Sequence, residues 1–579
     1  MPVRSEELQD ALEIPAPEST ALALDGCRRL LGPNMYSNQR GAVGDVLASG
    51  FTSVQILEPW QRYVRALADG LGWRSDIVTR PFEGGASLFI SAPADQLMTA
   101  AYVIEAGWYF AACDLLGQPA IAFDRMAGDL AAIAEKEKNP PLLHLLEQAQ
   151  QRGIDQLLDD DVVTLGHGAG GQTFDCIALP AEPDWAALHN VPLALVTGTN
   201  GKTTTTRLLA AMGQRAGKVS GLSSTDFVKI GDEILERGDY SGPAGARRLL
   251  RDPRLELGVL EVARGGILRR GIPVTRARAA VVTNVASDHL GQYGVNTVED
   301  LALTKLTVRR GLAPGGWLIL NAEDALLRQM ASGLSEKPVW FALDPARDEI
   351  RTARAQGRPC AWIAGGVLTL FDGAHETALI EAADVPLTLG GAARYNIENA
   401  LAAALAARAL GVPDAAIGDT LANFRSDAKD NPGRANEFTI NGARVFLDFA
   451  HNPHSIAAVT SALSTLPAKR RFLLLMHAGD RTDDEIRSLV EGAFVLKPDY
   501  VVVAENLKNL RGRQPGVIPA LIRAAALELG CPADRVLYSP SPVDGARQVM
   551  DHLQPDDLAL LLVHSDRQVI LDMLAAADA

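Results

Sequence analysis

A short loop between a predicted strand and a predicted helix has the residues of a phosphate-binding site. The loop reads Gly-Thr-Asn-Gly-Lys-Thr, from Gly198 to Thr203, and follows the apolar run Val191–Val196. Glycines let the backbone turn tightly against an anion, and the N–H groups at a helix start point toward it. Lys202 is placed to reach the β- and γ-phosphates of a nucleotide, and the Thr203 hydroxyl to bind Mg²⁺. The general pattern has a glycine where Val196 stands, so this is a shortened version of the loop.

Two further chemical groups come at the ends of predicted buried strands. Glu261 lies in the run Leu255–Ala263, and His289 follows the run Ala277–Val285. Continuous apolar runs of this kind are typical of strands buried on both faces of a parallel sheet. Because ligands of such sheets bind beyond the carboxyl ends of the strands, we expect both groups near Lys202, where they suit Mg²⁺ or Mn²⁺. For either residue alone, a surface or capping role is the ordinary alternative.

Length and composition limit the class of the protein. The 579 residues suggest about three or four domains. The formal net charge of −15 argues against nucleic acid as the main partner, because phosphate binding needs a basic face. No apolar run approaches the ~20 residues needed to span a bilayer, and the first residues lack the apolar core of a signal peptide, so no membrane partner is expected. The cysteines lie far apart, which indicates reduced thiols of a cytoplasmic protein.

The chain divides into three predicted domains, and its fold class is α/β. Residues 1–185 form a mixed α+β domain with an apolar helix at Met98–Leu116 and a glycine-rich segment that is either a hairpin or a loop. Residues 186–430 form a central parallel-sheet domain around the phosphate loop and include a helix at Tyr395–Gly411. Residues 431–579 contain five apolar strands, each followed by a helix, which predicts a dinucleotide-fold-like α/β domain. That domain has no G-x-G-x-x-G fingerprint, so we expect no nicotinamide or flavin.

Three motifs together resemble the ATP-dependent Mur ligase family: GTNGKTT, TNVASDHL and DFAHNP, in this order. Within it, the segments VLEVARGGILRRG, NPGRANEF and NLRGR are similar to the Mur-like half of cyanophycin synthetase. That family joins an amine to a carboxylate through an acyl-phosphate. The resemblance therefore implies an ADP-forming amide ligase that uses ATP and two Mg²⁺ ions, with Mn²⁺ as the alternative. It also implies amino-acid or peptide substrates and a homo-oligomer, either dimer or tetramer.

The N-terminal region also resembles cyanophycin synthetase. LLGPNMYS is similar to that family's N-terminal domain, and QRGIDQLLDDDVVTLGHGAGG to the entry of its ATP-grasp domain. Only about twenty residues separate the second segment from the phosphate loop, which is too few for the body of such a domain. We therefore expect an ATP-grasp remnant, and one of the family's two ATP-dependent sites.

The resemblance assigns roles to individual positions. It implies that the ATP phosphates are bound by Gly198, Thr199, Asn200, Gly201, Lys202, Thr203 and Thr204. It implies that metal is bound by Thr203, Glu261, His289 and Lys305. Lys305 matches a lysine that many Mur ligases carboxylate, and a solvated helix lysine is the alternative. The catalytic group implied in this way comprises Lys202, Glu261, His289, Lys305 and Arg434.

Further positions are implied on the adenine, ribose and substrate sides. Asn396 matches a His-Asn motif that meets the adenine, with Tyr395 in place of the histidine. Arg434 is expected to reach the γ-phosphate from the C-terminal domain, whose closure completes the site, and Asp448 to accept from the ribose. The substrate-side positions are Thr225, Asp226, Arg264, His451 and Asn452.

Several readings of the function stay open. The first is an isopeptide ligase that attaches arginine, or another amine, to an aspartate side chain. The second is a folylpolyglutamate-synthase-like ligase, and the third a non-catalytic scaffold that binds polymer or partner subunits. His451 is a candidate general base for the incoming amine. A salt bridge at the strand end is the alternative role of Arg264.

Overall fold

The computed structural model describes residues 4–578, which form two compact units. Within the described residues, the first unit comprises Met1–Val285, His289–Trp340 and Ala402–Pro413. The second comprises Ala286–Asp288, Phe341–Leu401 and Asp414–Ala579. The phosphate loop and the predicted metal ligands belong to the first unit. The predicted adenine and ribose positions belong to the second.

The first unit opens with a four-stranded antiparallel sheet in the order β1-β2-β4-β3. Its elements are α1 (Ser5–Leu8), β1 (Leu22–Leu30), β2 (Gly41–Ala48), α2 (Ser53–Gly70), β3 (Ile77–Phe82), β4 (Gly85–Ser91), α3 (Leu97–Leu116), α4 (Phe123–Glu137) and α5 (Pro140–Gln151). The predicted apolar helix is α3. It is apolar around most of its circumference because it packs against β1 and β2 on one side and against α2 and α4 on the other.

A three-stranded antiparallel sheet follows, formed by β5 (Gln156–Leu158), β6 (Val162–Leu165) and β7 (Gln172–Asp175). The glycine-rich segment left open between hairpin and loop is the β6–β7 hairpin. A 3₁₀ turn at Gly168–Gly170 connects its two strands. The hydrogen bond from the Ala169 amide to the Leu255 carbonyl, 2.9 Å, joins this turn to the central part of the unit.

The central sheet of the first unit has the order β11-β10-β9-β12-β8-β13-β14. Its elements are β8 (Leu193–Thr197), α6 (Lys202–Arg215), β9 (Ser220–Ser223), β10 (Phe227–Ile230), β11 (Glu233–Arg237), α7 (Pro243–Leu250), β12 (Leu257–Glu261), α8 (Arg264–Arg270), β13 (Ala277–Val282), α9 (Val298–Leu306), β14 (Leu312–Asn321) and α10 (Ala325–Ala331). The three predicted buried strands are β8, β12 and β13, and they are parallel neighbours with β8 in the middle. The fold class predicted for this region is confirmed.

The β10–β11 hairpin is a difference from the sequence prediction. It pairs antiparallel to β9 at the edge of the sheet and was not predicted as strands. Its outer strand, β11, has no buried residue, so the segment lacks the apolar run by which the buried strands were recognised. The edge position explains this pattern, because an outer strand meets neighbours on fewer sides.

The second unit begins with an antiparallel meander and ends with a mostly parallel sheet of order β19-β20-β24-β21-β22-β23. Unit boundaries fall within β15 (Val339–Ala342) and α12 (Arg394–Ala409). Its other elements are α11 (Asp348–Ala355), β16 (Cys360–Ala364), β17 (Val367–Phe371), β18 (Glu376–Glu381), α13 (Asp414–Asn423), β19 (Asn436–Ile440), β20 (Ala443–Asp448), α14 (Pro453–Ser464), β21 (Arg471–Leu475), α15 (Asp483–Phe494), β22 (Tyr500–Ala504), α16 (Val517–Glu528), β23 (Val536–Ser539), α17 (Pro542–His552), β24 (Leu558–Leu562) and α18 (Arg567–Ala577).

The predicted series of five strands, each followed by a helix, is confirmed as β20 to α18. The five strands are parallel to one another. The additional strand β19 runs antiparallel to β20 at the edge of the sheet. It alternates buried and exposed residues, which is typical of a half-buried edge strand.

The cysteines are free thiols. Burial raises the pKa of Cys176 and Cys360 to about 12, and it also raises the pKa of the remaining thiols, Cys27, Cys113 and Cys531. A thiol with a raised pKa carries little thiolate at neutral pH, so these groups are poor nucleophiles. Across residues 4–578, no helix combines the length and the apolar character that crossing a membrane requires.

A buried carboxylate joins the three-stranded sheet to the strand β13. Asp155 is 1% exposed and accepts hydrogen bonds from the Thr275 amide (2.9 Å) and the Thr275 hydroxyl (2.7 Å). His167 Nε2 lies 3.3 Å from its Oδ2. Burial raises the pKa of Asp155. The hydrogen bond and charge of His167, together with the hydrogen bonds from Thr275, lower it more, to about 2.

Because the folded pKa of Asp155 is lower than the ordinary value of 3.8, its carboxylate stabilises the fold above pH 3.8. This contribution, roughly 2 kcal/mol, is expected to be lost as the pH falls through about 2. Urea unfolding of the wild type and of Asp155→Asn, compared between pH 5 and pH 2, measures it. The variant is expected to be less stable at pH 5, and the difference is expected to shrink on acidification. A difference that stays constant with pH would contradict the assignment.

Candidate active site

The phosphate loop lies at the carboxyl end of β8, in the middle of the central sheet. Gly201 is the N-cap of α6 with φ +84°, and Gly198 has φ +146°. A Cβ atom on Gly198 would lie 1.9 Å from the Thr283 hydroxyl oxygen, so only glycine fits there. The loop therefore has the tight, side-chain-free backbone that an approaching phosphate requires.

Hydrogen bonds to the residues after β13 fix the loop. The Thr199 amide donates to the Asn284 carbonyl (2.9 Å), and the Asn200 amide donates to the Asn284 side-chain oxygen (2.9 Å). The Thr283 hydroxyl donates to the Asn200 carbonyl (2.6 Å). The neighbouring strand thus holds the loop in its turn without a ligand.

Two lysine side chains converge on the loop. The Lys202 ammonium donates to the carbonyls of Gly198 (3.0 Å) and Thr199 (2.9 Å), and the Lys305 ammonium donates to the same Gly198 carbonyl (2.8 Å). Lys305 is 4% exposed, so the alternative of a solvated helix lysine is wrong. Sequence periodicity did not show this burial, because α9 presents its lysine to the loop from another part of the chain. Two positive charges at one carbonyl favour an anion there.

Glu261 lies at the same edge of the sheet as the loop. It ends β12 in register with Val196 of β8 and is 2% exposed. Its carboxylate accepts a hydrogen bond from the Thr225 hydroxyl, 2.7 Å. The structure thus brings together two of the predicted site residues, Glu261 and Thr225. Thr203, the predicted partner on Mg²⁺, is buried in the first turn of α6.

Asp226, the next predicted substrate-side residue, makes a different contact. Its carboxylate accepts a hydrogen bond from the buried Arg207 side chain of α6. The Arg207 guanidinium carbon also lies 5.0 Å from the centre of the Phe227 ring. This ion pair packs the start of β10 against α6, a structural contact that sequence inspection did not predict.

Arg264 and His289 lie on the segments that follow β12 and β13. Arg264 is the first residue of α8, and its guanidinium donates to the Gln292 side-chain oxygen, 2.7 Å. His289 is exposed and has φ +50°. Gln292 was not among the predicted site residues, because an uncharged amide in a loop gives no pattern in the sequence.

In the second unit, the predicted adenine-side residue is buried and hydrogen-bonded. Asn396 donates to the Leu387 carbonyl (2.9 Å) and accepts from the Asn399 amide group (3.1 Å). Burial, together with the Asp448 charge, raises the pKa of the neighbouring Tyr395. Tyr395 is therefore a neutral phenol where the family motif has a histidine.

Asp448 ends β20, and both of its oxygens accept backbone hydrogen bonds. The donors are the amides of Ala450 (2.6 Å) and Ala435 (2.7 Å). Burial raises the pKa of Asp448, which the Arg434 charge opposes. The Arg434 guanidinium carbon lies 5.0 Å from the centre of the Phe449 ring. The predicted ribose and γ-phosphate residues are thus close neighbours.

His451 and Asn452 lie in the segment that connects Asp448 of β20 to α14. The Asn452 side chain caps α14 by accepting from the Ser455 amide, 2.9 Å, which gives it a structural role in the free protein. The His451 Nδ1 atom lies 3.0 Å from the Phe449 carbonyl oxygen.

Two histidines next to His451 were missed from the sequence. His477 follows β21 and His564 follows β24, and their ring centres are 5.4 Å apart. Burial lowers the pKa of His564 to about 3, with further lowering by His477 and His451. Both could have been found by the reasoning applied to Glu261, because they too stand at the carboxyl ends of parallel strands.

Comparison with known families identifies the two regions that carry these residues. The model of the Mur ligase middle domain matches residues 196–407, and that of the Mur ligase glutamate ligase domain matches residues 433–562. This chain belongs to the Mur ligase family. The resemblance seen in the motifs is thereby confirmed. The predicted domain boundaries at 185/186 and 430/431, and the predicted ATP-grasp remnant, stay predictions.

Among curated relatives, the chain is 39% identical to a cyanophycin synthetase of Trichormus variabilis over 332 residues, which are 57% of this chain and 37% of the relative. It is 27% identical to a UDP-N-acetylmuramoyl-L-alanyl-D-glutamate–2,6-diaminopimelate ligase of Vibrio vulnificus, with 65% of this chain and 73% of the relative covered. Escherichia coli FolC, solved with DHPP and ADP, aligns with 18% identity and a TM-score of 0.48, covering 67% of this chain and 89% of that chain. The chain thus spans less than half the length of the cyanophycin synthetase.

Proposed function

We propose that this chain is an ATP-dependent ligase that converts a carboxylate into an acyl-phosphate and joins it to an amino-acid amine, with release of ADP and phosphate. The observation that carries the proposal is the convergence of the Lys202 and Lys305 ammonium groups on the Gly198 carbonyl of a preformed phosphate loop. Membership of the Mur ligase family supports it.

The loop fits the phosphates of ATP. The positive φ angles of Gly198 and Gly201 remove side chains from the approach, and the amides at the start of α6 point out of the helix. In this proposal the Lys202 and Lys305 ammonium groups leave their carbonyl partners for the phosphates and offset the charge of the γ-phosphoryl group. A substrate carboxylate then attacks that group in line.

The donor set also fits a hard divalent cation. The Thr203 hydroxyl, the Glu261 carboxylate and the His289 imidazole are assigned to two Mg²⁺ ions, with Mn²⁺ as the alternative. When bound, such ions supply charge neutralisation on the transferring phosphoryl group. The hydrogen bond from Thr225 keeps the Glu261 carboxylate oriented at the edge of the sheet. Carboxylation of Lys305, which the family resemblance implies, is the alternative to its role as an ammonium group: it would replace the positive charge with a carbamate that holds the second metal ion.

For substrates, we propose arginine as the amine and an aspartate side chain as the carboxylate. The similarity to cyanophycin synthetase supports this choice. Because the segment between the glycine-rich hairpin and the phosphate loop is too short for the body of an ATP-grasp domain, we do not expect these residues to extend an aspartate backbone. The amine must arrive without its proton, and His451 is the proposed base.

The test is ADP and phosphate release with Mg-ATP over a panel of acceptors crossed with amines, with products identified by mass spectrometry. The acceptors are aspartate, glutamate, short poly-aspartate and folate, and the amines include arginine and glutamate. Turnover that requires one acid and one amine, with a condensed product, establishes the ligase and names its substrates. Turnover with folate and glutamate would replace the arginine proposal. ATP binding without turnover for any pair, or no ATP binding at all, would favour the scaffold.

A further inference from the structure

The loop after β13 contains a strained turn at Gly291–Val295. The Gly291 amide donates to the Val295 carbonyl (2.9 Å), and the Val295 amide donates to the Gln292 carbonyl (3.1 Å). Tyr293, in the middle of the turn, has φ +55°. A tyrosine is unfavourable in this conformation, so the surrounding structure must hold the turn in place.

Two arginines of the N-terminal sheet hold this turn. Arg80 of β3 donates to the Tyr293 carbonyl (3.0 Å) and to the Asp300 carboxylate (3.1 Å). The guanidinium carbon of Arg28, from β1, lies 4.7 Å from the centre of the Tyr293 ring. Arg28 is itself fixed by an ion pair to Asp45, 2.7 Å. We call Arg28 and Arg80 the arginine clamp.

The N-terminal sheet approaches the turn too closely for a side chain at position 294. A Cβ atom on Gly294 would lie 2.3 Å from the Phe82 ring and 2.7 Å from Arg80 Nη2. Gly294 also has φ +65°, which favours glycine. The turn and the edge of the N-terminal sheet are therefore built to fit each other.

Gln292, near the start of the turn, contacts Arg264 of the candidate active site. Gln292 accepts the hydrogen bond from the Arg264 guanidinium, 2.7 Å. Arg264 opens α8 directly after β12, whose last residue is Glu261. Arg28 reaches α8 as well, because its Nε donates to the Leu268 carbonyl, 3.2 Å. The N-terminal sheet is thus linked to Arg264 by the hydrogen bond to the Tyr293 carbonyl, the backbone between Tyr293 and Gln292, and the hydrogen bond from Arg264 to Gln292.

We propose that the arginine clamp positions Gln292, and through it Arg264, for binding the carboxylate group of a substrate. A guanidinium binds a carboxylate through two parallel hydrogen bonds, so its orientation decides the affinity. The proposal rests on the proposed ligase function. It makes Arg80 a positioning residue and the N-terminal sheet a part of the substrate-binding site.

The test compares Arg80→Met and Arg80→Lys with the control Arg29→Met. Arg29 matches Arg80 because it lies in the same sheet, its side chain is also 17% exposed, and it pairs with one carboxylate, Asp160, at 2.9 Å. Hydrogen exchange of the Gly291 and Val295 amides is measured in all variants. Faster exchange in Arg80→Met, with wild-type exchange in Arg29→Met, is expected. Unchanged exchange in Arg80→Met would overturn the clamp whether or not the protein is a ligase.

The second measurement is the kinetics of the ligase reaction. Arg80→Met is expected to raise KM for the acid or amine substrate by about tenfold while KM for ATP stays unchanged, because the variant misplaces Arg264 and leaves the phosphate loop intact. Arg80→Lys is expected to restore part of this loss. Arg264→Met combined with Arg80→Met is expected to be no worse than Arg264→Met alone. Additive losses, or equal increases in both KM values, would overturn the link to Arg264.

If the wild type gives no turnover with any substrate pair, the ligase proposal and the clamp's role in substrate binding fail together. Faster exchange of the turn in Arg80→Met would then still show that the clamp holds Gly291–Val295. The two failures are therefore distinguishable.

Discussion

Lys202→Met is expected to lower kcat for ATP-dependent ligation by about 10²–10³-fold, because it removes a positive charge from the phosphoryl group in the transition state. Methionine keeps most of the apolar stem, and Lys305 still donates to the Gly198 carbonyl. The loop is therefore expected to keep its fold. ADP release at saturating substrates measures the effect, and binding of a fluorescent ATP analogue shows whether the loop is intact.

Lys218→Met is the matched control for this variant. Lys218 is an exposed lysine just beyond the other end of α6, and its loss is expected to leave kcat unchanged. The double variant Lys202→Met/Lys305→Met is expected to lose nucleotide binding as well, because both ammonium groups at the Gly198 carbonyl are gone. Wild-type kcat in Lys202→Met would exclude the phosphate loop as the reaction centre.

Glu261→Gln is expected to raise the Mg²⁺ concentration for half-maximal activity by about tenfold or more, since it removes a carboxylate charge from the proposed metal site. Glutamine has the shape of glutamate and keeps an oxygen that can accept the hydrogen bond from Thr225. The second oxygen of Glu261 accepts from the Thr225 amide at 3.3 Å, so the substitution removes the charge and this one longer hydrogen bond. Initial rates over a Mg²⁺ titration at fixed ATP measure it.

Glu256→Gln controls for the loss of one carboxylate near the same strand. Glu256 immediately precedes β12 and accepts from the Val219 amide, 2.8 Å, at the opposite end from Glu261. It is expected to leave the Mg²⁺ dependence unchanged. If both variants shift the titration equally, the effect is one of net charge and Glu261 is not a metal ligand.

The elements that carry the phosphate loop could be predicted because their signals are local. β8 is a short apolar run, and α6 follows a glycine turn, so strand, loop and helix are encoded within adjacent residues. The same holds for the five repeated strands of the second unit. Because these strands are buried on both faces, they are continuous apolar runs and lack the alternating polar residues of strands at the surface.

Contacts between distant segments could not be predicted in the same way. The burial of Lys305 depends on Gly198, and the ion pair of Asp226 depends on Arg207 in a different element. The bond between Arg264 and Gln292 joins two loops that follow different strands. Side-chain type gives the chemistry of such groups, but their partners are set by the packing of the whole sheet.

The strand order of the second unit also constrains how this part of the protein is made. β24 lies between β20 and β21, although β20 and β21 precede it in the chain. During synthesis, the sheet therefore has a gap in its centre until Leu558–Leu562 has left the ribosome. Until then β20 and β21 each expose an unpaired edge, the kind of surface that pairs with other chains. Folding of this sheet is expected to finish late, with chaperones most needed until β24 has left the ribosome.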